Sequence, residues 1–267
     1  MKFETLGDWC KYLEKNFSPE QMIPTLPVII RLDGNNFHNY ARGLKKPFDE
    51  GLTDLMVATT RQLVKETNAV IGYTQSDEIT LILYSPDREI PVYHDGKKQK
   101  ILSKLTGVCV NFFNDKRPEY LPKHNKLANF DCRIYQVPTL MDAVAQLLWR
   151  ENDATKNSIS MLAQAYFSHN SLQNLNGHQM IARLLEDEGV DWNTLADKYR
   201  KGTYIKRVRV KKKLDESELE ELPPNHNARN NPDMEIERNI ICILELPPLT
   251  DIQNKVDVIF NNETPII

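Results

Sequence analysis

The 267-residue chain is 40% hydrophobic and 27% charged, with a formal net charge of −3. That is the composition of a globular protein and not of a disordered chain or a polycation, so any contact with nucleic acid must come from local basic patches. Cys10, Cys109, Cys132 and Cys242 form no CxxC pair, which argues against a zinc site or a disulfide framework. No apolar run is long enough to span a bilayer, and a cytoplasmic setting with reduced thiols is expected.

The opening MKFETLGDWCKYLEKNF reads as a charged amphipathic helix and not as a signal peptide. LPVII, before Arg31, is apolar and β-branched enough for a buried strand that stops at Asp33 and Gly34. From Glu50 to Thr67 the apolar positions recur at helical spacing. Val70 to Tyr84 is strand-like and must be split at its Ser-Asp-Glu to form a hairpin. A helix is predicted near Lys98 to Asn114, a strand at Ala128 to Val137, and helices from Thr139 to about Glu151 and from Ser158 to Phe167. NLNGHQMIARLLEDEGVDW predicts a helix entered from an Asn-Gly turn and closed at Gly189. TYIKRVRVKKK alternates as a basic strand that Arg238 to Leu246 can pair with. Leu214 to Glu237, acidic and then rich in Pro and Asn, is expected to be a mobile loop. The resulting β-α-β-β-α-β order suits an α+β, ferredoxin-like antiparallel sheet covered by helices on one face, with residues 1–152 as a palm-like catalytic domain and 153–267 as a helical and β-hairpin region packed against it.

Two short stretches place acids at strand ends: Asp33 in RLDGNNFH and Asp77 with Glu78 in TQSDEI. A carboxylate is costly to bury unless it is paired or holds a cation, so acids on neighbouring strands suggest a shared metal. Taken singly, LDG also reads as a turn and SDE as a solvated bend. Together they match the acidic pair of a two-metal site for nucleotidyl transfer, in which hard oxygen ligands hold two Mg²⁺ ions. The expected ligands are Asp33, Asp77 and the backbone carbonyl of Gly34. Glu78 alternates to the other strand face from Asp77 and is expected to support them.

The chain resembles the tRNA(His) guanylyltransferase family, including its guanylyltransferase-like 3′-to-5′ RNA polymerases. The resemblance rests on RLDGNNFH, KPFD at Lys46 to Asp49, QSDE at 75–78, SK at Ser103 and Lys104, WRENDATKNSI at 149–159 and YRKGT at 199–203, in the family's order. It implies a polymerase-type palm fold, Mg²⁺ as cofactor, and GTP, ATP and other nucleoside triphosphates as substrates. It also implies tRNA as partner, a homotetramer and no membrane.

Its nucleotide pocket maps to Arg31, Gly34, Asn35, Asn36, Phe37 and His38. Lys46 and Ser76 fall at phosphate contacts, and Asp49 lies near the purine, where a carboxylate can accept from guanine N1 and N2. Lys100 and Lys104 are expected at a second triphosphate, although by charge alone they form a solvated helix face. RNA contacts are expected from Asp153, Asn157, Arg200, Lys201, Lys206, Arg207 and Arg209. Asp153 and Asn157 read equally as caps of a helix start.

One departure stands out. The eukaryotic enzymes carry a His-Ile-Asn-Asn-Leu-Tyr-Asn stretch after the Trp-Arg segment, and this chain has Thr155 where the histidine stands. The resemblance therefore leans to templated repair of 5′-truncated tRNA, alongside guanylyl addition to tRNA-His. A palm-type nucleotidyl cyclase and a non-catalytic tRNA-binding protein are the alternatives.

Overall fold

The computed structural model describes residues 5–17, 21–231 and 233–267; the first four residues of the predicted amino-terminal helix lie outside them. Six strands form one antiparallel sheet: β1 (Val28–Gly34), β2 (Ile71–Gln75), β3 (Glu78–Leu83), β4 (Phe130–Gln136), β5 (Thr203–Lys213) and β6 (Glu235–Leu244), in the order β4-β1-β3-β2-β5-β6. The first four strands, with helices Glu50–Thr67 and Lys98–Tyr120 as crossovers, make the expected α+β palm. The basic strand and its partner continue the same sheet.

Those two helices bury Val28, Ile30, Leu32, Leu63, Leu81 and Phe113 against one face of the sheet. Leu140–Tyr166 and the C-terminal helix Lys255–Asn261 cover the other, over Ile29, Ile71, Tyr73, Ile82, Leu147 and Ile259, so helices lie on both faces of the sheet and not on one as expected. Burial on both faces is why VII is an unbroken apolar run and ITLIL is interrupted only by the buried Thr80.

Two predictions change. The two helices expected from Thr139 to Phe167 are one helix of 27 residues, started by a capping box between Thr139 and Asp142. ENDATKN carries no Gly or Pro, and a buried face of Glu151, Ala154 and Ser158 holds the helix through it. The segment 214–237 contains two short helices, Glu216–Glu221 and Asn227–Asn230, the first capped by Asp215 and Glu218. Gly177–Glu188 forms as predicted, with Asn176 and Gln179 as its capping box and Gly189 left-handed at its end.

Gly202 opens β5 at φ +84°, where a Cβ would lie 2.6 Å from the Tyr73 hydroxyl and 2.7 Å from the Thr74 carbonyl oxygen. Gly202→Ala therefore both strains the backbone and displaces Tyr73. Denaturant unfolding is expected to record a loss of more than about 1 kcal/mol.

Candidate active site

The site is built where β1 ends. Asp33 is paired across the sheet with Glu78 on β3 and Asp131 on β4, so the three carboxylates share one face. Gln75 pairs with Glu78, which leaves Ser76 and Asp77 as a two-residue hairpin turn, with Ser76 left-handed at φ 50°. The N–H of Gly34 donates to the Asp77 carbonyl at 3.1 Å, and that of Asn35 to the Asn129 carbonyl at 2.8 Å, locking the turn to β1. Gly34 is required because a Cβ there would lie 2.3 Å from the Phe37 ring.

Asp33 and Asp77 line one cavity of about 510 Å³ with Asp49, Ser76, Glu78, Arg150 and Asn157. Burial raises the pKa of the Asp77 carboxyl, and the Asp33 carboxylate adds to the rise. A buried acid facing a second acid suits a hard cation. Among the described residues no group of three or more His, Cys, Asp or Glu side chains is placed to hold a metal ion, so a cation at Asp33 and Asp77 would need phosphate and water to complete its shell. The residues present therefore fit Mg²⁺.

Glu78 lies on a different strand face from the one expected. It shares the face of Asp33, because alternation cannot be counted from Asp77 in the turn. Its Oε1 accepts from Arg150 Nε at 2.7 Å and lies 3.4 Å from Arg31 Nε, with all three side chains nearly buried. The two guanidinium carbons stand 4.9 and 4.8 Å from the centroid of the Trp149 ring. Arg150 also reaches Asp153 at 3.2 Å, and Asn157 donates to Asp153 at 3.3 Å. Arg31 sits in this cluster and not on the cavity wall; Arg150, which the sequence reading passed over within WRENDATKNSI, lines the cavity. Asp153 and Asn157 lie within a continuous helix, so they are not caps of a helix start.

The remaining nucleotide candidates divide. Asn35, Asn36 and His38 are exposed. Phe37 is buried in an aromatic group, 4.6 Å from Tyr40 and 5.7 Å from Phe130 by ring centroids, and anchors the turn. Of the turn's backbone donors, Gly34 and Asn35 are already engaged. Asp49 lines the cavity and also caps the Glu50–Thr67 helix, accepting from Leu52 N at 2.9 Å through one carboxylate oxygen and from Lys45 N at 3.0 Å through the other, which leaves each oxygen a further acceptor site. Lys46 is exposed, at a cis Lys46–Pro47 bond, while Pro47 and Phe48 line the cavity. Lys100 and Lys104 are exposed on the first turns of Lys98–Tyr120 and line no part of it.

Several expected RNA contacts serve the fold. Arg200 pairs with Asp197 and lies over Trp192; Lys201 donates to the Leu246 carbonyl and pairs with Asp197. Lys206 is buried and donates to the carbonyls of Val258 at 2.8 Å and Ile259 at 2.7 Å, near the end of the C-terminal helix. Burial lowers its pKa to about 8. A lysine that releases its proton at lower pH when folded lets stability rise with pH between about 8 and 10.5. Lys206→Met should flatten that rise in melts taken across the window. Arg207 and Arg209 remain toward the surface, the latter 3.8 Å from Glu237.

The sequence reading also missed the far wall of the cavity. Tyr199 stacks on Phe48 at 5.0 Å, and Lys198 pairs with Asp54 at 2.9 Å. YRKGT is thereby brought against KPFD. Glu151, buried, accepts from Tyr204 and from Leu249 N, both at 2.7 Å, and ties the long helix to β5 and the C-terminal segment.

An antiparallel palm with an acidic pair on its first strand and adjoining hairpin defines the class as a nucleotidyltransferase. Residues 9–138 match the family model described as tRNAHis guanylyltransferase. A solved structure of a bacterial tRNA(His) guanylyltransferase-like protein in complex with ATP superposes at a TM-score of 0.76 and 29% identity, over 96% of this chain and 99% of that one. The same kind of protein in complex with GTP matches at 0.67 and 29%, over 92% and 94%. An uncharacterized protein of Acanthamoeba polyphaga mimivirus is 29% identical over 78% of this chain and 79% of its own. A probable tRNA(His) guanylyltransferase of Drosophila melanogaster is 24% identical over 75% and 73%. Over residues 9–138 the chain is similar to the tRNA(His) guanylyltransferase family. No helix among the described residues is long and apolar enough to cross a membrane.

Proposed function

We propose that this chain is a Mg²⁺-dependent 3′-to-5′ nucleotidyltransferase that adds nucleotides to tRNA 5′ ends, chiefly as templated repair of truncated ends. The observation that carries this reading is the pair Asp33 and Asp77 facing one cavity. The ATP and GTP of the bacterial relatives support nucleoside triphosphates as substrates. Thr155, where eukaryotic members have histidine, donates to the carbonyl of Glu151 one turn back. Its engagement within the helix favours repair over strict selection of tRNA-His.

The reaction has two transfers. An oxygen of the RNA 5′-monophosphate attacks the α-phosphorus of ATP or GTP and pyrophosphate leaves. The 3′-hydroxyl of the incoming nucleotide then attacks the activated 5′ phosphorus, and the nucleoside monophosphate leaves. Mg²⁺ held by Asp33, Asp77 and the Gly34 carbonyl would stabilise the charge on the attacking and departing oxygens. Ser76 offers a hydroxyl to phosphate, Asn157 orients the RNA end, and Glu78 fixes Arg150 at the cavity wall. Residues 1–152 carry the chemistry, and 153–267 add RNA contacts and assembly into a homotetramer.

The test is incubation with Mg²⁺, four nucleoside triphosphates and a 5′-monophosphorylated tRNA lacking its first nucleotide. Growth at the 5′ end supports the reading. A cyclic nucleotide as product supports a palm-type cyclase, and absence of both supports a binding protein.

A further inference from the structure

Along the Glu50–Thr67 helix from the acidic cavity lies a second groove, of about 800 Å³, which meets the first at Val57. Asp54, Ala58, Arg61 and Lys65 line it at helical spacing, a stripe about 16 Å long at ~1.5 Å per residue. Phe112 and Tyr120 come from the neighbouring helix, and Arg207 and Asn239 from β5 and β6.

The charge here is uncompensated. Arg61 donates to the Ile241 carbonyl at 2.8 Å, and Arg207 to the Lys65 carbonyl at 3.4 Å, so backbone oxygens hold both guanidiniums without neutralising them. The Arg207 Nε is buried with no hydrogen-bond partner. Among the described residues neither arginine nor Lys65 is in an ion pair, and the Asp54 carboxylate is instead engaged by Lys198. Unpaired guanidiniums match phosphodiester oxygens, and aromatic side chains beside them give bases a stacking surface.

We propose that this groove holds the single-stranded 3′ extension that stands beside the 5′ end of a tRNA-like substrate. The inference rests on the reading that the acidic cavity takes that 5′ end; the groove adjoins it, and an overhang leaving the duplex end there would follow the helix stripe. An RNA strand also explains three cations gathered on a chain that is acidic overall.

The test is a binding cycle on the full chain, using a tRNA acceptor-stem duplex with and without its single-stranded 3′ extension and Arg61→Ala/Lys65→Ala, both exposed positions. The wild type should bind the extended RNA more tightly. The variant should lose about tenfold on extended RNA and little on blunt RNA, with a salt dependence shallower by roughly 1.4 for two single-strand phosphate contacts. GTP affinity and melting temperature should be unchanged. An equal loss on both RNAs, or no loss, overturns the proposal, as does a change of oligomeric state measured by light scattering, which would make the groove a subunit interface. Failure of 5′ extension by the wild type, with this binding pattern intact, would count against the catalytic reading alone.

Discussion

Asp77→Ala and Asp33→Ala are each expected to lower 5′ nucleotide addition by roughly 10³-fold or more, since metal-borne charge stabilisation is worth several kcal/mol and each 1.36 kcal/mol is tenfold. Neither should unfold the protein. The Asp77 carboxylate is destabilised in the fold by burial and by its acidic neighbour, so without Mg²⁺ Asp77→Ala should melt at or above the wild-type temperature. Adding Mg²⁺ with a nucleoside triphosphate should raise the wild-type melting temperature through binding to the native state and leave the variants almost unmoved. Melting curves with and without the ion check this. A variant that loses activity by losing its fold would contradict it.

Glu78→Ala should behave in the opposite way. Glu78 is the shared carboxylate of Arg31 and Arg150, all three side chains nearly buried, and removing one partner of a buried ion cluster costs about 3–5 kcal/mol. At roughly 2–4 °C per kcal/mol for a chain of about this size, melting should fall by ~6 °C or more. Glu78→Gln keeps the shape and an acceptor, so it should recover part of that loss. The Mg²⁺-dependent rise in melting temperature should persist in Glu78→Gln, because Glu78 fixes cations and is not a metal ligand. The two acids adjacent in sequence, Asp77 and Glu78, are thus separable by one pair of measurements: one removes activity at little cost in stability, the other stability first.

Much of the palm was legible in the chain because its signals are local. VII before Arg31, the helical spacing from Glu50 to Thr67 and the Asn-Gly entry before Gln179 each specify an element without reference to anything distant. The acidic pair was legible for the same reason, since a carboxylate at the end of an apolar strand is conspicuous. What was not legible depends on long-range contact. The burial of Lys206 requires the C-terminal helix, whose carbonyls it meets from more than fifty positions away; alternation in KRVRVKKK puts Lys206 on the face of Val208 and Val210 but does not show what covers that face. The capping part of Asp49 was not legible, because it depends on the Lys45 and Leu52 amides that the fold places around its carboxylate. Phe37 looked like part of a nucleotide loop because RLDGNNFH is a contiguous motif, while the turn folds the ring inward against Tyr40 and Phe113. The single long helix through ENDATKN shows the same limit: polar residues that favour an end in isolation are overridden by a buried face.

The most direct measurement uses a 5′-truncated, 5′-monophosphorylated tRNA in which the unpaired acceptor-strand base opposite the gap is changed in turn to each of the four. With Mg²⁺ and all triphosphates present, the identity of the nucleotide joined at the 5′ end is read by sequencing, with Asp77→Ala in parallel. The account predicts that the added nucleotide follows the opposing base by Watson–Crick pairing and that the variant adds none. Addition of guanosine whatever the opposing base, or addition that survives loss of Asp77, would contradict it.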